Sequence, residues 1–446
     1  MVMSERVMAM KKNGHGSRIS GFYRLSRHER LARLAERFHL SDEELREIEQ
    51  APPLPFDVAD HMVENAIGVL GLPLGVGLNF LINGQDRIVP MVVEEPSVIA
   101  AASHAARVIR DAGGFSAEAD RSLMIGQVQL VNVANLTAAA RQVEQARERL
   151  LKIANAVHPN MVRRGGGATD VQVRSLPETA CGPMLVVHVL VDVGDAMGAN
   201  AVNSIAEALA PALEELTGGQ ARLRILSNLA DERLARASAR IPFELLAEDD
   251  YSGREVAERL MEAWAFADAD PYRATTHNKG IMNGIDALAL ATGQDWRGIE
   301  AGAHAYAART GRYRPLSQWR VEGDHLVGRI ELPLAVGTVG GNLQINPRVR
   351  FSLRVLGVTS ARELAAVMAA VGLGQNFSAM RALVTDGIQR GHMALHARGV
   401  AIAAGAPEAL VGRVIERLIA CGEIKISKAR EILESVQLGD GLLAGT

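Results

Sequence analysis

The stretch from residue 184 to residue 200 reads MLVVHVLVDVGDAMGAN and joins an apolar, β-branched run to a turn of small residues. The run is typical of a buried strand, and the turn opens a predicted helix over residues 201–216. Backbone N–H groups at such a helix start can bind an anion. The alternative is an ordinary capped helix with Asp195 as its N-cap residue, and the spacing alone favours neither.

Two further strands and one further helix surround this stretch. Residues 125–133 and 223–227 alternate as strands do, and residues 138–155 have the spacing of a helix. A strand–helix–strand–strand–helix–strand series over roughly 100 residues is typical of a ferredoxin-like unit. We therefore predict a small α+β domain over residues 122–228 that is inserted into a larger one.

The flanking sequence is predicted to form a large, mainly helical domain in two parts, residues 1–121 and 229–385, and a C-terminal helical unit, residues 386–446. Asn83-Gly84 predicts a hairpin turn between alternating residues, and Ser41 with Glu44 predicts a helix start. The patterns predict a buried turn and strand over 66–82, a helix over 98–111, mostly helices over 230–308, strands over 319–334 and 349–355, helices over 361–370 and 376–404, and two amphipathic helices over 405–437.

Composition excludes several classes of protein. With 446 residues, 48% of them hydrophobic, the chain can bury a core without cross-links, so collagen-like, disordered and disulfide-framework classes are excluded. A net charge of −3 argues against nucleic acid as a partner held by bulk charge. Cys181 and Cys421 lie far apart in the sequence, and no stretch has the length and apolarity of a spanning helix. We therefore expect a soluble cytoplasmic protein with no membrane partner.

The scarcity of lysine draws attention to one polar segment. Only six of the 48 basic residues are Lys, and Lys279 lies within TTHNKGIMNG, residues 275–284. Lysine can shift its pKa and exchange a proton, whereas arginine keeps its proton. Arg273, Asn283 and Asp295 could converge with Lys279 on a carboxylated substrate; the alternative is a polar helix start plus a surface acid.

Other motifs are weaker when taken singly. The sequence has no glycine fingerprint of a Rossmann fold, no P-loop and no G-x-S-x-G elbow. His392 and His396 share a helix face but lack the Glu of H-E-x-x-H, which favours a site without metal. Glu95 precedes Pro96 at a helix start, where a carboxylate usually complements the helix dipole, although general acid chemistry would require a raised pKa.

Six segments, taken together and in this order, resemble class II 3-hydroxy-3-methylglutaryl-CoA (HMG-CoA) reductases. They are Glu64-Asn-Ala-Ile-Gly68, Glu94-Glu-Pro-Ser97, Asp195-Ala-Met-Gly-Ala-Asn200, Thr276-His-Asn-Lys-Gly-Ile-Met-Asn-Gly284, Gly293-Gln-Asp-Trp296 and Arg390-Gly-His-Met-Ala-Leu-His396. The resemblance runs from about residue 21 to the C-terminal tail. One departure is Ala66, where the family usually has Val.

The resemblance implies a fold and a reaction. The fold has a large domain around a long central helix, an inserted ferredoxin-like dinucleotide-binding domain and a mobile C-terminal flap. The reaction interconverts HMG-CoA and mevalonate plus CoA by two successive hydride transfers with a nicotinamide cofactor. Two subunits of such enzymes build each active site together, so a homodimer, or a higher oligomer built from it, is implied.

The resemblance also implies roles for residues. Lys279 would stabilise the oxyanion, Glu95 would act as general acid, Asp295 would hold Lys279, and His392 would protonate the CoA thiolate. The residues implied to bind substrate are Glu64, Asn65, Gly68, Ser97, Asn228, Arg273 and Asn283, and those implied to bind the cofactor are His158, Asp195, Met197, Gly198 and Asn200. A non-catalytic CoA-ester-binding protein is the rival hypothesis, but all four catalytic residues are present.

The choice of nicotinamide rests on position 158. NADH-using relatives can carry an Asp there, which bonds the ribose hydroxyls and repels a 2′-phosphate. This chain has His158, with Arg163 and Arg164 nearby, so charge favours NADP(H) or dual use. The overall closeness to NADH-using members favours NAD(H), which is our expectation, with NADP(H) as the alternative.

Overall fold

The computed structural model describes residues 16–52, 54–248, 250–385 and 388–443, without the side chains of residues 341–342, 388–395 and 438–443. The helices are α1 (Arg27–Phe38), α2 (Asp42–Gln50), α3 (Phe56–Met62), α4 (Ser97–Asp111), α5 (Leu136–Gln145), α6 (Arg147–Val157), α7 (Pro159–Arg163), α8 (Ala199–Thr217), α9 (Gly253–Ala269), α10 (Pro271–Ala291), α11 (Trp296–Ala307), α12 (Gly341–Ile345), α13 (Pro347–Leu356), α14 (Ala361–Val384), α15 (Ile388–Ala403), α16 (Glu408–Cys421) and α17 (Ile426–Leu443), with short 3-10 helices at Phe22–Arg24 and Phe243–Leu245. The strands are β1 (Leu74–Ile82), β2 (Gln85–Val92), β3 (Ser116–Ala119), β4 (Leu123–Val131), β5 (Gly167–Leu176), β6 (Met184–Asp192), β7 (Gln220–Ser227), β8 (Leu234–Pro242), β9 (Ser317–Glu322) and β10 (His325–Pro333).

The large part of the molecule is built around α14. Most side chains of this 24-residue helix are buried, because it lies among α4, α10 and a four-stranded sheet of order β3-β8-β10-β9. A separate hairpin pairs β1 with β2, and its turn residues Asn83 and Gly84 have φ values of 50° and 72°, as a primed turn requires. The predicted long central helix and the predicted hairpin are both confirmed.

The stretch that opened the sequence analysis lies in a second, smaller sheet. Its strand order is β5-β6-β4-β7, every neighbouring pair is antiparallel, and α5, α6 and α8 pack against it around Val128, Leu150 and Leu209. This is the ferredoxin-like arrangement that the sequence predicts. The domain boundaries at residues 121 and 228 remain predictions.

The last three helices, α15 to α17, pack on one another around their own apolar cluster. Its buried members include Ala397, Val414, Leu418 and Leu433. The two amphipathic helices predicted for residues 405–437 are α16 and α17.

Two predicted elements are wrong. Residues 349–355 form helix α13 and not a strand, because Asn346 caps the backbone N–H of Arg348 and Pro347 takes the first helical position. In the region predicted to be mostly helical, Leu234–Pro242 is a strand. Its alanines favour a helix intrinsically, but they alternate with polar residues, and their small side chains fit beneath α14.

Further boundaries also differ from the predictions. Helix α14 runs without a break through residues 371–375, which separate the helices predicted for residues 361–370 and 376–404. The single helix predicted for residues 138–155 is broken at Ala146 into α5 and α6. The buried turn predicted from residue 66 is instead an irregular segment open to solvent, in which Ile67 is 100% and Leu70 is 91% exposed. The sequence suggested burial because these residues are apolar, but the other described residues do not cover them.

Among the described residues, no single helix is both long and apolar enough for a membrane crossing. Pro347–Leu356 and Ala361–Val384 reach that length and composition only when taken together, and they meet at 80°.

Candidate active site

Helix α10 positions Lys279 and Asn283 one turn apart on the same face. The helix begins at Pro271, and the Asp270 side chain accepts hydrogen bonds from the backbone N–H groups of Tyr272 and Arg273. With eleven of its 21 residues buried, α10 holds these side chains on a rigid support.

His277, on another face of α10, hydrogen-bonds this helix to β9 and α14. It is 2% exposed, and its Nε2 lies 2.7 Å from Ser317 Oγ and 3.1 Å from Asn376 Nδ2. Burial, assisted by the charge of Arg273, lowers the pKa of His277 to about 3. The histidine of this motif is therefore neutral and structural.

Glu95 meets Lys279 at the start of α4. Lys279 Nζ lies 3.5 Å from Glu95 Oε2, and the buried Ser97 donates a 2.7 Å hydrogen bond to Glu95 Oε1. The Lys279 side chain is 65% exposed, and an ion pair this open to water contributes little to stability. The structure brings together three predicted site residues and leaves the ammonium accessible to a substrate.

Asp295 and Asn228 form a second group beside the start of α11. Asp295 is the N-cap residue of α11 and accepts from the backbone N–H of Gly298 at 3.2 Å. Asp295 Oδ2 and Asn228 Oδ1 lie 2.8 Å and 3.1 Å from the point that a Cβ on Gly298 would occupy, so the two side chains are neighbours. Within the described residues no hydrogen bond joins Asp295 to Lys279, so the predicted contact between them remains a prediction.

Arg273 is a cation with no counterion in the part of the chain that the structure describes. None of the described residues accepts a hydrogen bond from its guanidinium, and its half-buried position lowers its pKa. A partly dehydrated guanidinium in this state can take a carboxylate in a bidentate pair. Arg273 therefore has the chemistry expected of a site for the carboxylate of a substrate.

For two groups of predicted site residues, the described part of the chain gives no contact with this cluster. Glu64, Asn65 and Gly68 lie in the exposed irregular segment, and among the described residues no ion pair or side-chain hydrogen bond links them to Lys279. Position 392 lies on α15, but the His392 side chain is outside the described residues. Its role stays a prediction.

The turn from Asp195 to Gly198 joins the small sheet to α8. Gly198, and not Asp195, is the N-cap residue, with φ 94°, and a Cβ there would lie 2.4 Å from Val193 Cγ1. The alternative of Asp195 as N-cap is therefore wrong. No side chain caps the helix, so its first N–H groups are free to bind an anion, with Met197 half-buried and Asn200 exposed beside them.

Asp195 makes structural hydrogen bonds and does not cap α8. Its Oδ1 accepts a 2.9 Å hydrogen bond from the backbone N–H of Ala361, and its carbonyl accepts from the N–H of Thr338. Ala361 is the first residue of α14. Asp195 thereby ties the turn to the central helix of the large part.

Comparisons with known proteins agree with this geometry. A family model described as hydroxymethylglutaryl-coenzyme A reductase matches residues 26–397. A 3-hydroxy-3-methylglutaryl-coenzyme A reductase of Archaeoglobus fulgidus is 52% identical over 422 residues, which are 94% of this chain and 95% of that protein. The chain belongs to the hydroxymethylglutaryl-coenzyme A reductase family. It is therefore an oxidoreductase.

Solved structures of relatives support the same assignment. A 3-hydroxy-3-methylglutaryl-coenzyme A reductase from Streptococcus pneumoniae is 46% identical, with a TM-score of 0.80 over 94% of this chain and 99% of that one. Another structure, titled as the class II enzyme of that organism bound to NADPH in open conformations, is 48% identical, with a TM-score of 0.79 over 82% of this chain and 99% of that one.

His158 lies at the start of α7 in this reductase. Its Nε2 is buried and has no hydrogen-bond partner among the described residues, whereas Arg163 and Arg164 are exposed one turn further on. Arg163 donates to the Asn160 side chain. The exposed charge near the predicted ribose position is therefore positive.

Sequence reasoning missed two buried residues of this reductase. Arg233 is 4% exposed and donates to the carbonyls of Val336, Ala196 and Met197; burial lowers its pKa to about 10 in spite of Asp192 and Asp195. Gln294 is 9% exposed and binds the backbone of Gly337. Gln294 was part of a quoted motif, but nothing in the spacing distinguished its role from that of Asp295.

Proposed function

We propose that this reductase interconverts HMG-CoA and mevalonate plus CoA at a site built around Lys279 and Glu95. The observation that carries the proposal is the exposed ammonium of Lys279, 3.5 Å from Glu95 Oε2, on the helix that also carries the half-buried Arg273. A substrate with a carboxylate at one end and a thioester at the other would place its carboxylate on Arg273 and its reacting carbonyl at Lys279.

The cation of Lys279 would stabilise the oxyanion that forms when a hydride reaches the thioester carbonyl carbon. The resulting hemithioacetal breaks its C–S bond to give mevaldehyde and CoA thiolate, and His392 would give the thiolate a proton. A second hydride would reach the aldehyde carbon, and Glu95 would supply the proton to the alkoxide through its contact with Lys279. Each hydride would come from a separate molecule of reduced nicotinamide dinucleotide, so the oxidised cofactor would have to be exchanged between the two steps.

Ser97, Asn228 and Asn283 would complete the substrate site. The Ser97 hydroxyl orients Glu95, and Asn228 lies beside Asp295, so both are close to the proposed reacting groups. The Asn283 side chain makes no hydrogen bond with any described residue and lies one turn from Lys279, where it can bind a substrate hydroxyl or carboxylate.

The turn at Asp195–Gly198 would hold the dinucleotide. Free N–H groups at the start of α8 suit its pyrophosphate, and a related solved structure is described as bound to NADPH. We propose that the chain accepts both NADH and NADPH, because position 158 has no carboxylate and the nearby guanidinium groups of Arg163 and Arg164 suit a 2′-phosphate. The preference for NADH expected from the sequence remains a prediction.

We also infer that the active unit is a dimer in which each site takes its Glu64–Gly68 segment from the partner. The support is the exposed apolar segment around this motif. Its large exposed side chains are Met62, Val63, Ile67, Val69, Leu70 and Leu72. Such a patch usually marks an interface, and a second copy would cover it while delivering Glu64 and Asn65.

The direct test is an absorbance assay of the nicotinamide with HMG-CoA, and with mevalonate plus CoA. We expect hydride transfer in both directions, with NADH and with NADPH. Absence of HMG-CoA-dependent oxidation of either nicotinamide would overturn the proposed function. Strict use of one nicotinamide would overturn the dual-use proposal alone.

The residue that governs the nicotinamide preference is tested by His158→Asp. A carboxylate there repels a 2′-phosphate and accepts from a free ribose hydroxyl, a change of about 1–3 kcal/mol in discrimination. We expect the ratio of kcat/KM for NADH to that for NADPH to rise. An unchanged ratio would mean that position 158 does not face the 2′ group, in agreement with its buried Nε2, and Arg163 and Arg164 would be substituted next.

A further inference from the structure

Gln294, the residue before Asp295, binds both backbone polar groups of one residue, Gly337. The backbone N–H of Gly337 donates to Gln294 Oε1 at 2.8 Å, and Gln294 Nε2 donates to the Gly337 carbonyl at 2.9 Å. Nε2 also donates to the carbonyl of Thr292 at 2.8 Å. Both amide hydrogens and the amide oxygen are therefore used, and all these atoms are buried.

Gly337 in turn lies directly against the turn before α8. A Cβ on Gly337 would stand 2.6 Å from the backbone N of Met197. The next two residues continue the contact, because Thr338 N–H donates to the Asp195 carbonyl at 2.8 Å and Val339 forms a parallel β-bridge with Ala196. Gly337 therefore touches Gln294 on one side and the turn of the small domain on the other.

Arg233 also links the residue before Gly337 to the turn before α8. Its guanidinium donates to the carbonyl of Val336 at 2.5 Å and to those of Ala196 and Met197 at 3.5 Å. The turn and Asp295 belong to parts of the molecule with separate apolar cores. A rigid polar link across that division sets how far one can move relative to the other.

We propose that Gln294 is a positioning residue for hydride transfer. Through Gly337 it fixes the turn at Asp195–Gly198, and hence the nicotinamide, relative to Asp295 and the reacting carbonyl. This inference rests on the proposed function, in which that turn holds the dinucleotide. Hydride transfer is sensitive to donor distance, and a misplacement of about 1 Å can cost on the order of 100-fold in rate.

The most informative variant is Gln294→Glu, which keeps the size of the side chain and its hydrogen-bond acceptor. An ionised carboxylate still accepts from Gly337 N–H, but it cannot donate to the carbonyls of Gly337 and Thr292. A protonated carboxyl regains one donor. We therefore expect kcat, relative to that of the parent at the same pH, to fall by at least about tenfold at alkaline pH and to recover in part as the pH falls.

Two further variants separate positioning from folding. Gln294→Leu removes both donors and should lose kcat without recovery at any pH. Gly337→Ala leaves Gln294 unchanged, but its Cβ would clash with the backbone N of Met197. The turn should therefore be displaced, and kcat should fall as it does in Gln294→Leu. Gln318→Glu, at an exposed position on β9, makes the same change of charge and should behave as the parent.

The measurement is kcat against pH, with NADH or NADPH deuterated at the transferred hydrogen, alongside KM for HMG-CoA and the melting temperature. Positioning predicts a lower kcat, a larger isotope effect and a KM within about threefold of the parent. Folded variants with the kcat, pH profile and isotope effect of the parent would overturn the inference. A parent that is itself inactive would overturn the proposed function, and the inference with it.

Discussion

Gly298 lies in the first turn of α11, where it faces Asp295 and Asn228. A Cβ there would stand 2.8 Å from one oxygen and 3.1 Å from the other, so even the smallest side chain must displace one of them. At a solvent-exposed position in a helix, replacing Gly with Ala would increase stability. Gly298 is therefore retained at a cost in helix propensity, next to two predicted site residues.

Gly298→Ala should lower kcat by about tenfold or more with little change in melting temperature, because it moves Asp295 or Asn228 and not the core. The matched control is Gly412→Ala on α16, where a Cβ meets nothing within 4 Å. Steady-state kinetics on both variants provide the check. Parental kcat in a folded Gly298→Ala protein would show that this pair of side chains does not need its present position.

At the residue scale, sequence reasoning identified the types of side chain better than their contacts. The rare Lys279 and the Glu95–Ser97 segment were both singled out, and the structure brings them together. The sequence could not show that Asp195 binds the start of α14, since that contact joins residues 166 positions apart.

At the scale of elements, α10 and α11 are joined by a pair of acids. Asp286 on α10 faces Glu300 on α11, and Glu300 Oε2 lies 2.6 Å from His304 Nε2. No donor among the described residues reaches the buried Asp286 Oδ1. Burial and the neighbouring Glu300 raise the pKa of Asp286 to about 9, whereas the hydrogen bond from His304 lowers the pKa of Glu300.

This pair predicts a pH dependence of stability. Because folded Asp286 holds its proton more tightly than the unfolded chain, its contribution is complete below about pH 4 and is lost as the pH rises to about 9. Asp286→Asn keeps a donor towards Glu300 and removes this titration. We expect the free energy of unfolding of the variant to decline less between about pH 5 and about pH 9 than that of the parent.

The check is urea unfolding of both proteins across this range, with Asp60→Asn at an exposed position of α3 as the control. Curves for Asp286→Asn that run parallel to those of the parent would mean that the proton is not held at Asp286.

The two elements that sequence reasoning assigned to the wrong type have a common physical cause. Residues 234–242 are alanine-rich and residues 349–355 are rich in β-branched and aromatic side chains, so propensity favoured the wrong structure in each. In β8 the space beneath α14 decides the outcome, and in α13 the cap at Asn346 decides it. Propensity is overridden where packing or a cap is strong, and only the folded chain displays both.

At the scale of the whole molecule, the exposed segment around Glu64–Gly68 bears on the proposed dimer. Its apolar residues suggested burial in the sequence analysis, and in the structure the other described residues leave them open. Both observations agree if a partner subunit covers the segment. A single sequence cannot distinguish burial within a chain from burial between chains, because both select apolar side chains.

Mixed dimers test whether the sites are shared. Lys279→Met and Glu64→Ala should each be inactive alone. Since Glu64 would serve the partner's site, an equal mixture reassembled at random should recover about a quarter of parental activity. The control mixture combines Lys279→Met with Asp295→Asn. The same subunit would contribute both residues to a site, so this mixture should recover no activity. Equal behaviour of the two mixtures would contradict the shared site.

The central claim is that Lys279 takes part directly in the reaction. The variant Lys279→Arg tests this claim most directly. Arginine keeps the charge opposite Glu95, but its guanidinium does not give up a proton or fit the same network. The account predicts that kcat for HMG-CoA reduction falls by at least about 100-fold while KM stays within about threefold. The control is Lys428→Arg, which alters another Lys–Glu pair on α17 and should leave kcat unchanged. A Lys279→Arg protein that retains a substantial fraction of parental kcat would contradict the account.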